Sequence, residues 1–206
     1  TLSSSSAASD VYKRQNPTNE GGVPSVMGVH LVSEAERLAY ADRDKYVADT
    51  DFIPLPGKGV STMLDKAYLK QRAALIQPDG KSLGTASAGA LGDVPLGVDK
   101  TVERGTTHFS IVDAYGNVVS MTSTVESSMG SFHMVGGFLL TNQLTDFSAS
   151  PTDADGNLVS NRVEGNKRPR STMAPTLVFN GTEPGEILMA TCLLYTSPSP
   201  RDRQKS

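Results

Sequence analysis

Between Val29 and Tyr46 the apolar residues Leu31, Ala35 and Leu38 recur at three- and four-residue steps, and Ala41 and Asp42 continue the same face. This is the period of a helix with one buried stripe, which places Glu34, Glu36, Arg37, Asp44 and Lys45 on the wet side. A second helix is predicted from Thr62 to Ile76, with Leu64, Ala67, Tyr68 and Leu75 as its apolar face. Ser61 is placed to cap it, and Pro78, Asp79 and Gly80 to end it. The polar stretch Asn16–Met27 and the Pro/Gly-broken stretch Asp51–Gly59 read as loops. Residues Lys81–Gly105 are rich in small side chains and have no period, which predicts a mobile linker.

Beyond this linker the period changes to two. His108–Val112 and Val118–Thr124 alternate and are β-branched, around Asp113, Ala114, Tyr115, Gly116 and Asn117. That pattern predicts a hairpin. Glu126–Gly137 reads as a Gly/Ser loop, Phe138–Leu140 as a short strand, and Asp146–Glu164 as an exposed loop. Thr176–Phe179 and Ile187–Met189, on either side of Asn180-Gly181, predict a second hairpin with a longer loop. Helices first and antiparallel strands second define an α/β chain of the α+β kind.

The 206 residues are long enough to bury a core, and 37% hydrophobic with 20% charged is ordinary for a globular chain. A net charge of −3, with basic residues clustered only at Asn166–Arg170, argues against nucleic-acid binding. No stretch approaches a membrane span. The single Cys is Cys192, so the chain before it offers no disulfide, Cys-based metal site or Cys nucleophile.

The two ends read differently from the middle. Ser5–Gln15 contains DVYKRQ and Cys192–Asp202 contains CLLYTS. These are the in-frame translations of the two transposase adapters used in DNA library preparation, GAT GTG TAT AAG AGA CAG and TGT CTC TTA TAC ACA TCT. Residues 1–15 and 192–206 are therefore expected to be non-native tails, with Asn16–Thr191 the natural segment of a longer protein.

Gly105, Thr106 and Thr107 stand at the head of the first hairpin. A Thr at a strand start after a Gly is where a self-cleaving precursor places its nucleophile, because the amine freed by cleavage then acts as the base for that hydroxyl. A strand-start Thr held by backbone hydrogen bonds is the simpler reading of the spacing alone. The run TTHFSIVDAYGNVVSMTSTVE, then a Gly-rich loop, NQLTDFS and NKRPRSTMAPT, with EAERLAYADRDKYVADTDF before them, resembles the γ-glutamyltransferases (γ-glutamyltranspeptidases). These are N-terminal-nucleophile hydrolases, and the resemblance covers roughly Gly21 to Thr191.

The resemblance implies the αββα four-layer sandwich, of which this chain would hold a part. It divides the natural segment into the C-terminal part of a large subunit, 16–105, and the N-terminal part of a small subunit, 106–191. It implies cleavage between Gly105 and Thr106, after which Thr106 attacks a γ-glutamyl amide, with the Thr124 hydroxyl orienting it. Glu126, Gln143 and Asp146 would hold the substrate's α-ammonium, where charge-assisted bonds are strong. Ser171 and Thr172 would hold its α-carboxylate, and Arg168 would support that loop. His108 tempts a Ser-His-type dyad, but in this family the amine is the base, so His108 is expected to be structural.

No cofactor or metal is called for. Expected partners are glutathione or other γ-glutamyl compounds, acceptor amino acids, peptides or water, and the two subunits of one precursor. The compartment implied is periplasmic or extracellular. The Gly130–Phe138 loop is shorter than usual and carries Phe132 and His133 where small residues are usual. A cephalosporin or glutaryl acylase is therefore an alternative, and a non-catalytic fragment is another. The family's oxyanion-hole Gly-Gly pair, beyond Thr191, and an early large-subunit Arg are not among these residues, so the chain by itself is expected to be inactive. Each lost oxyanion donor costs roughly 3–4 kcal/mol.

Overall fold

The computed structural model describes residues 25–77, 79–92, 94–101, 105–181 and 186–192. The expectations for the tails at 1–15 and beyond Cys192, for the loop at 16–24 and for a stop at Pro78 lie outside them. The described residues divide into two compact units, one drawn from 25–100 with 148–170, the other from 101–147 with 171–192.

The first unit is built on α1, Val26–Tyr46. It begins three residues before the predicted helix because Ser25 caps it, its Oγ accepting the Gly28 N–H at 2.9 Å. Ala35 and Leu38 pack with Ile76, flanked by Leu31, Leu83 and Ala86. Tyr46, Met63 and Leu91 form a second cluster with Leu55, Tyr68 and Val94.

The predicted second helix is two. A short turn, α2 (Val60–Met63), is followed by α3 (Lys66–Ala73). The break falls at Leu64-Asp65 because the Asp65 carboxylate accepts the Tyr68 N–H at 3.0 Å and so starts a new helix. Ser61 is not the cap; its hydroxyl donates to the Lys58 carbonyl. Ala67 and Leu75 are exposed, and only Leu64 and Tyr68 of the expected apolar face are even half-buried.

The interior of this unit is unusually polar. Glu34, expected in water, is buried, and it accepts the Ser82 hydroxyl and the Leu83 N–H, each at 2.9 Å. Burial alone would raise its pKa, but those two bonds and Arg37 bring it below the usual carboxylate range. Asp42 accepts from Tyr68 at 2.6 Å, from the Gly89 N–H at 2.7 Å and from Arg72 at 3.1 Å. Burial and the bond to Asp42 push the Tyr68 phenol far above its usual range.

These contacts bear on the stretch expected as a mobile linker. Residues 82–89 form no helix or strand, as expected, but their backbone is held by polar side chains of α1 and α3. Arg37 donates to the Gly84 carbonyl, Arg72 to Ser87 and Tyr46 to Gly89. Gly89 must be glycine for that approach, since a Cβ there would stand 2.2 Å from the Tyr68 hydroxyl oxygen.

The segment expected as an exposed loop, Asp146–Glu164, is anchored at both ends. Phe147, Ser148, Val159, Ser160 and Asn161 are buried. Asn161 satisfies backbone and charge together, donating to Asp99 at 3.1 Å and accepting the Arg170 N–H at 3.0 Å. Arg170 also reaches Asp99 at 3.2 Å and the Arg43 carbonyl at 3.3 Å. Between the anchors, Asp153–Asn157 forms an exposed turn in which Asp153 accepts the N–H groups of Asp155 and Asn157.

Among the described residues the second unit holds three antiparallel hairpins. Strands β1 (Thr107–Val112) and β2 (Val118–Ser123) pair from Thr107 opposite Ser123 to Val112 opposite Val118. Their turn repeats the Asp153 device, with Asp113 accepting from Tyr115 and Asn117 and Gly116 at φ 83°. A small hairpin, β3 (Met134–Val135) with β4 (Phe138–Leu139), lies partly where a loop was expected. It forms because Gly136 and Gly137 both take positive φ, giving a two-residue turn. Strands β5 (Pro175–Phe179) and β6 (Ile187–Cys192) pair as the second predicted hairpin. The described architecture is thus α+β.

Candidate active site

Thr106 sits one step before β1 and is half-buried, with Gly105 exposed. Because Thr107 pairs with Ser123, continuing the ladder by one step sets Thr106 opposite Thr124. The Thr124 hydroxyl donates to the Gly105 carbonyl at 3.2 Å. That carbonyl belongs to the bond between Gly105 and Thr106. The Thr124 oxygen in turn accepts the Glu126 N–H at 2.9 Å.

Glu126, three residues beyond β2, makes a sharp reversal. Its φ is 73°, its side chain is buried, and its Oε2 has no hydrogen-bond partner. A buried carboxylate oxygen left unpaired is costly unless a cation or donor comes to it. Asn142 holds this corner from the other side, its N–H donating to the Val125 carbonyl and its Oδ1 accepting the Ser127 N–H, both at 3.3 Å. Asn142 also leads into a 3₁₀ turn at Gln143–Asp146. In that turn Gln143 Nε2 donates to Asp146 Oδ2, and Asp146 is buried. The segments carrying Glu126 and the Gln143/Asp146 pair are therefore tied together by one asparagine that the sequence reading passed over. Its only signal is its place in the run NQLTD.

Ser171 is exposed and Thr172 half-buried, in the extended run that leads into β5. Arg168 belongs to the helical unit. Its guanidinium forks onto Asp49 at 2.6 and 3.0 Å and reaches Asp51 at 2.5 Å, while its N–H also donates to Asp49. Those bonds hold the Asp49 carboxyl well below the usual range, against the opposing effect of burial. The carboxylates that fix Arg168 lie about 120 residues earlier, where no local pattern finds them.

His108 lies within β1 and is half-buried. It faces its cross-strand partner Thr122, with Nδ1 2.9 Å from that hydroxyl, and its Nε2 lies 3.1 Å from Ser110 Oγ. Nearby, Ser120 donates to the Thr191 carbonyl at 3.0 Å, joining the first hairpin to β6. One face of β1–β2 is thus hydroxylated and half-covered. The other carries Phe109 against Met121 and Ile111 against Val119, all exposed. Among the described residues no cluster of three or more His, Cys, Asp or Glu is placed to hold a metal ion.

Thr106 at the strand start, the Thr124 hydroxyl on the carbonyl before it, and the buried carboxylates of Glu126 and Asp146 thus lie on adjoining segments of the hairpin unit. The family model for Gamma-glutamyltranspeptidase matches residues 8–191. The glutathione hydrolase proenzyme of Bacillus subtilis is 39% identical over 165 residues, covering 75% of this chain and 26% of that protein. The glutathione hydrolase proenzyme of Pseudomonas aeruginosa is 40% identical over 156 residues, covering 73% and 26%. The acylase ACY 1 proenzyme of Pseudomonas sp. strain SE83 is 32% identical over 160 residues, covering 77% and 25%. The chain belongs to the γ-glutamyltranspeptidase family. It spans about a quarter of the length of the curated relatives it matches.

Proposed function

We propose that this chain is the segment of a glutathione hydrolase precursor that spans its cleavage point, and that the protein transfers γ-glutamyl groups from glutathione-like amides to water or to amino acids and peptides. Thr106 is the nucleophile in both stages. Its hydroxyl first attacks the Gly105 carbonyl, and hydrolysis of the resulting ester frees the Thr106 amine. The amine then serves as base while the same hydroxyl attacks the γ-amide of the substrate and forms an acyl-enzyme. Thr124 polarises the Gly105 carbonyl in the first stage and orients Thr106 in the second.

The observation that carries this reading is the Thr124 hydroxyl on the Gly105 carbonyl, at the bond that would break. The unpaired Glu126 carboxylate oxygen and buried Asp146 support an ammonium subsite, with Gln143 bonded to Asp146. Ser171 and Thr172 supply hydroxyls for the α-carboxylate. The proposal extends to the αββα sandwich, to a large subunit ending at Gly105 and a small one starting at Thr106, and to a periplasmic or secreted protein. No described helix is long and apolar enough to cross a membrane.

A glutaryl or cephalosporin acylase is the second reading, favoured by the likeness to the acylase ACY 1 proenzyme and by Phe132, which is 79% exposed at φ 61°. Release of an aniline from γ-glutamyl and from glutaryl anilides separates the two. The first reading expects the γ-glutamyl compound to be cleaved faster. Faster glutaryl cleavage would favour the second, and no cleavage of either by the matured protein would remove both.

A further inference from the structure

Glu126 is one of three non-glycine residues with positive φ among those described, and the only one of the three that is buried. For an L-residue the left-handed region is disfavoured by the clash of Cβ with the following carbonyl oxygen. The Glu126 N–H donates to Thr124 Oγ1 at 2.9 Å, two residues earlier, and the positive φ turns the chain beyond it so that the Ser127 N–H meets Asn142 Oδ1. Asn142 clamps the residues on both sides of it.

We propose that the main-chain N–H of Glu126 is a positioning group for cleavage of the Gly105–Thr106 bond, separate from any role of its carboxylate. The inference rests on the reading of Thr106 as nucleophile. An N–H donated to Thr124 Oγ1 occupies a lone pair of that oxygen and leaves its proton aimed at the Gly105 carbonyl, 3.2 Å away. The resulting chain, N–H to O–H to O=C, is polarised in one direction, and each link strengthens the next. In cleavage the Thr106 Oγ–C bond forms, charge gathers on the Gly105 oxygen, and the Gly105–Thr106 C–N bond breaks. The hydroxyl proton ends on the Thr106 nitrogen. Water then hydrolyses the ester to the Gly105 carboxylic acid and restores the Thr106 hydroxyl. The Thr124 proton is already in place where the oxyanion develops, so no reorganisation is required at that moment. The carboxylate of Glu126 takes no part in this stage, and its Oε2 stays unpaired.

The test separates backbone from side chain. Glu126→Gly removes the carboxylate and favours positive φ. Glu126→Ala removes the carboxylate and keeps the conformational cost. Glu126→Val removes it and makes positive φ a genuine outlier. Cleavage of each full precursor is followed by intact mass, and KM and kcat on a γ-glutamyl anilide are measured on whatever matures.

The glycine variant is expected to cleave at least as fast as wild type, the alanine variant about threefold more slowly than glycine, and the valine variant about tenfold or more. The matured glycine variant is expected to show a raised KM with a kcat much nearer to wild type. Should the valine variant not fold, the gap between glycine and alanine still decides. Equal slowing of glycine and alanine would assign the effect to the carboxylate, and wild-type cleavage by the valine variant would remove the effect altogether; either overturns the proposal. A wild-type precursor that never yields a chain starting at Thr106 would overturn the underlying reading, and this proposal with it.

Discussion

In the helical unit the charged groups Asp42, Arg72, Asp99 and Arg170 lie inside, whereas in the hairpin unit Phe109, Ile111, Val119 and Met121 lie outside. The first unit uses its ions as internal fasteners: Asp42 and Arg72 hold the backbone of Gly89 and Ser87, while Asp99 binds Arg170 and Asn161. The second uses its strands to present two unlike faces, hydroxyls on one and hydrocarbon on the other. The candidate chemistry sits wholly in the second unit, on residues that do little to fill a core. Damage to the two units should therefore differ in kind, loss of stability in one and loss of chemistry in the other.

The largest effect is expected at Thr106. Thr106→Ala should lower γ-glutamyl anilide turnover by roughly a thousandfold or more, since no other group replaces a nucleophile, while the thermal midpoint shifts little. A large fall in that midpoint would blur the contrast. The converse is Asp99→Ala, which removes the buried carboxylate 3.2 Å from Arg170 and leaves that guanidinium the half-exposed Asp44 at 3.4 Å. Removing one partner of such a pair costs up to about 3–5 kcal/mol, read by urea unfolding, and the KM of any protein that remains folded should be unchanged.

Asp146→Asn should raise KM for the γ-glutamyl anilide roughly 10- to 100-fold, because a charge-assisted bond to an ammonium is worth about 1.5–3 kcal/mol. An unchanged KM would remove Asp146 from the subsite. Asp65→Ala should cost only about 1 kcal/mol, the loss of a helix cap.

The last prediction is a direction with pH. The Asp49 carboxyl titrates below its ordinary value because Arg168 binds its charged form. A depressed folded-state pKa stabilises above the unfolded value of about 3.9, and the gain is lost as pH falls through the folded value. Arg168→Met should thus be less stable than wild type at neutral pH, with the gap closing as pH drops below about 4. A gap that does not shrink at all between pH 4 and pH 2 would mean that Arg168 acts by packing instead.

Periodicity carried far in this chain. The step of Leu31, Ala35 and Leu38 located α1, and alternation located β1, β2, β5 and β6, because each of these elements is defined by what one face avoids or seeks. The same logic misread Glu34 as wet, since a helix wheel does not show that Ser82 and Leu83 will come to it. It also ran α2 and α3 together, because Asp65 looked like one more polar position when it caps a new helix. Residues 81–101 and 147–161 offered no period for a related reason: they are held by side chain-to-backbone bonds from far along the chain, which leave no local rhythm.

At the candidate site the sequence shows which residue types are present, Thr106 and Thr124 among them. The left-handed turn at Glu126 and the clamp by Asn142 were not legible in it. A positive φ on a non-glycine residue has no sequence signature, and an asparagine in a polar run looks like any other.

The central claim concerns one peptide bond. Intact mass and N-terminal sequencing of the purified full-length protein, beside Thr106→Ala, tests it most directly. Two chains, the smaller beginning at Thr106, with the alanine variant left as a single chain, is the result predicted. A wild-type protein that stays in one piece, or that breaks at another bond, would contradict it.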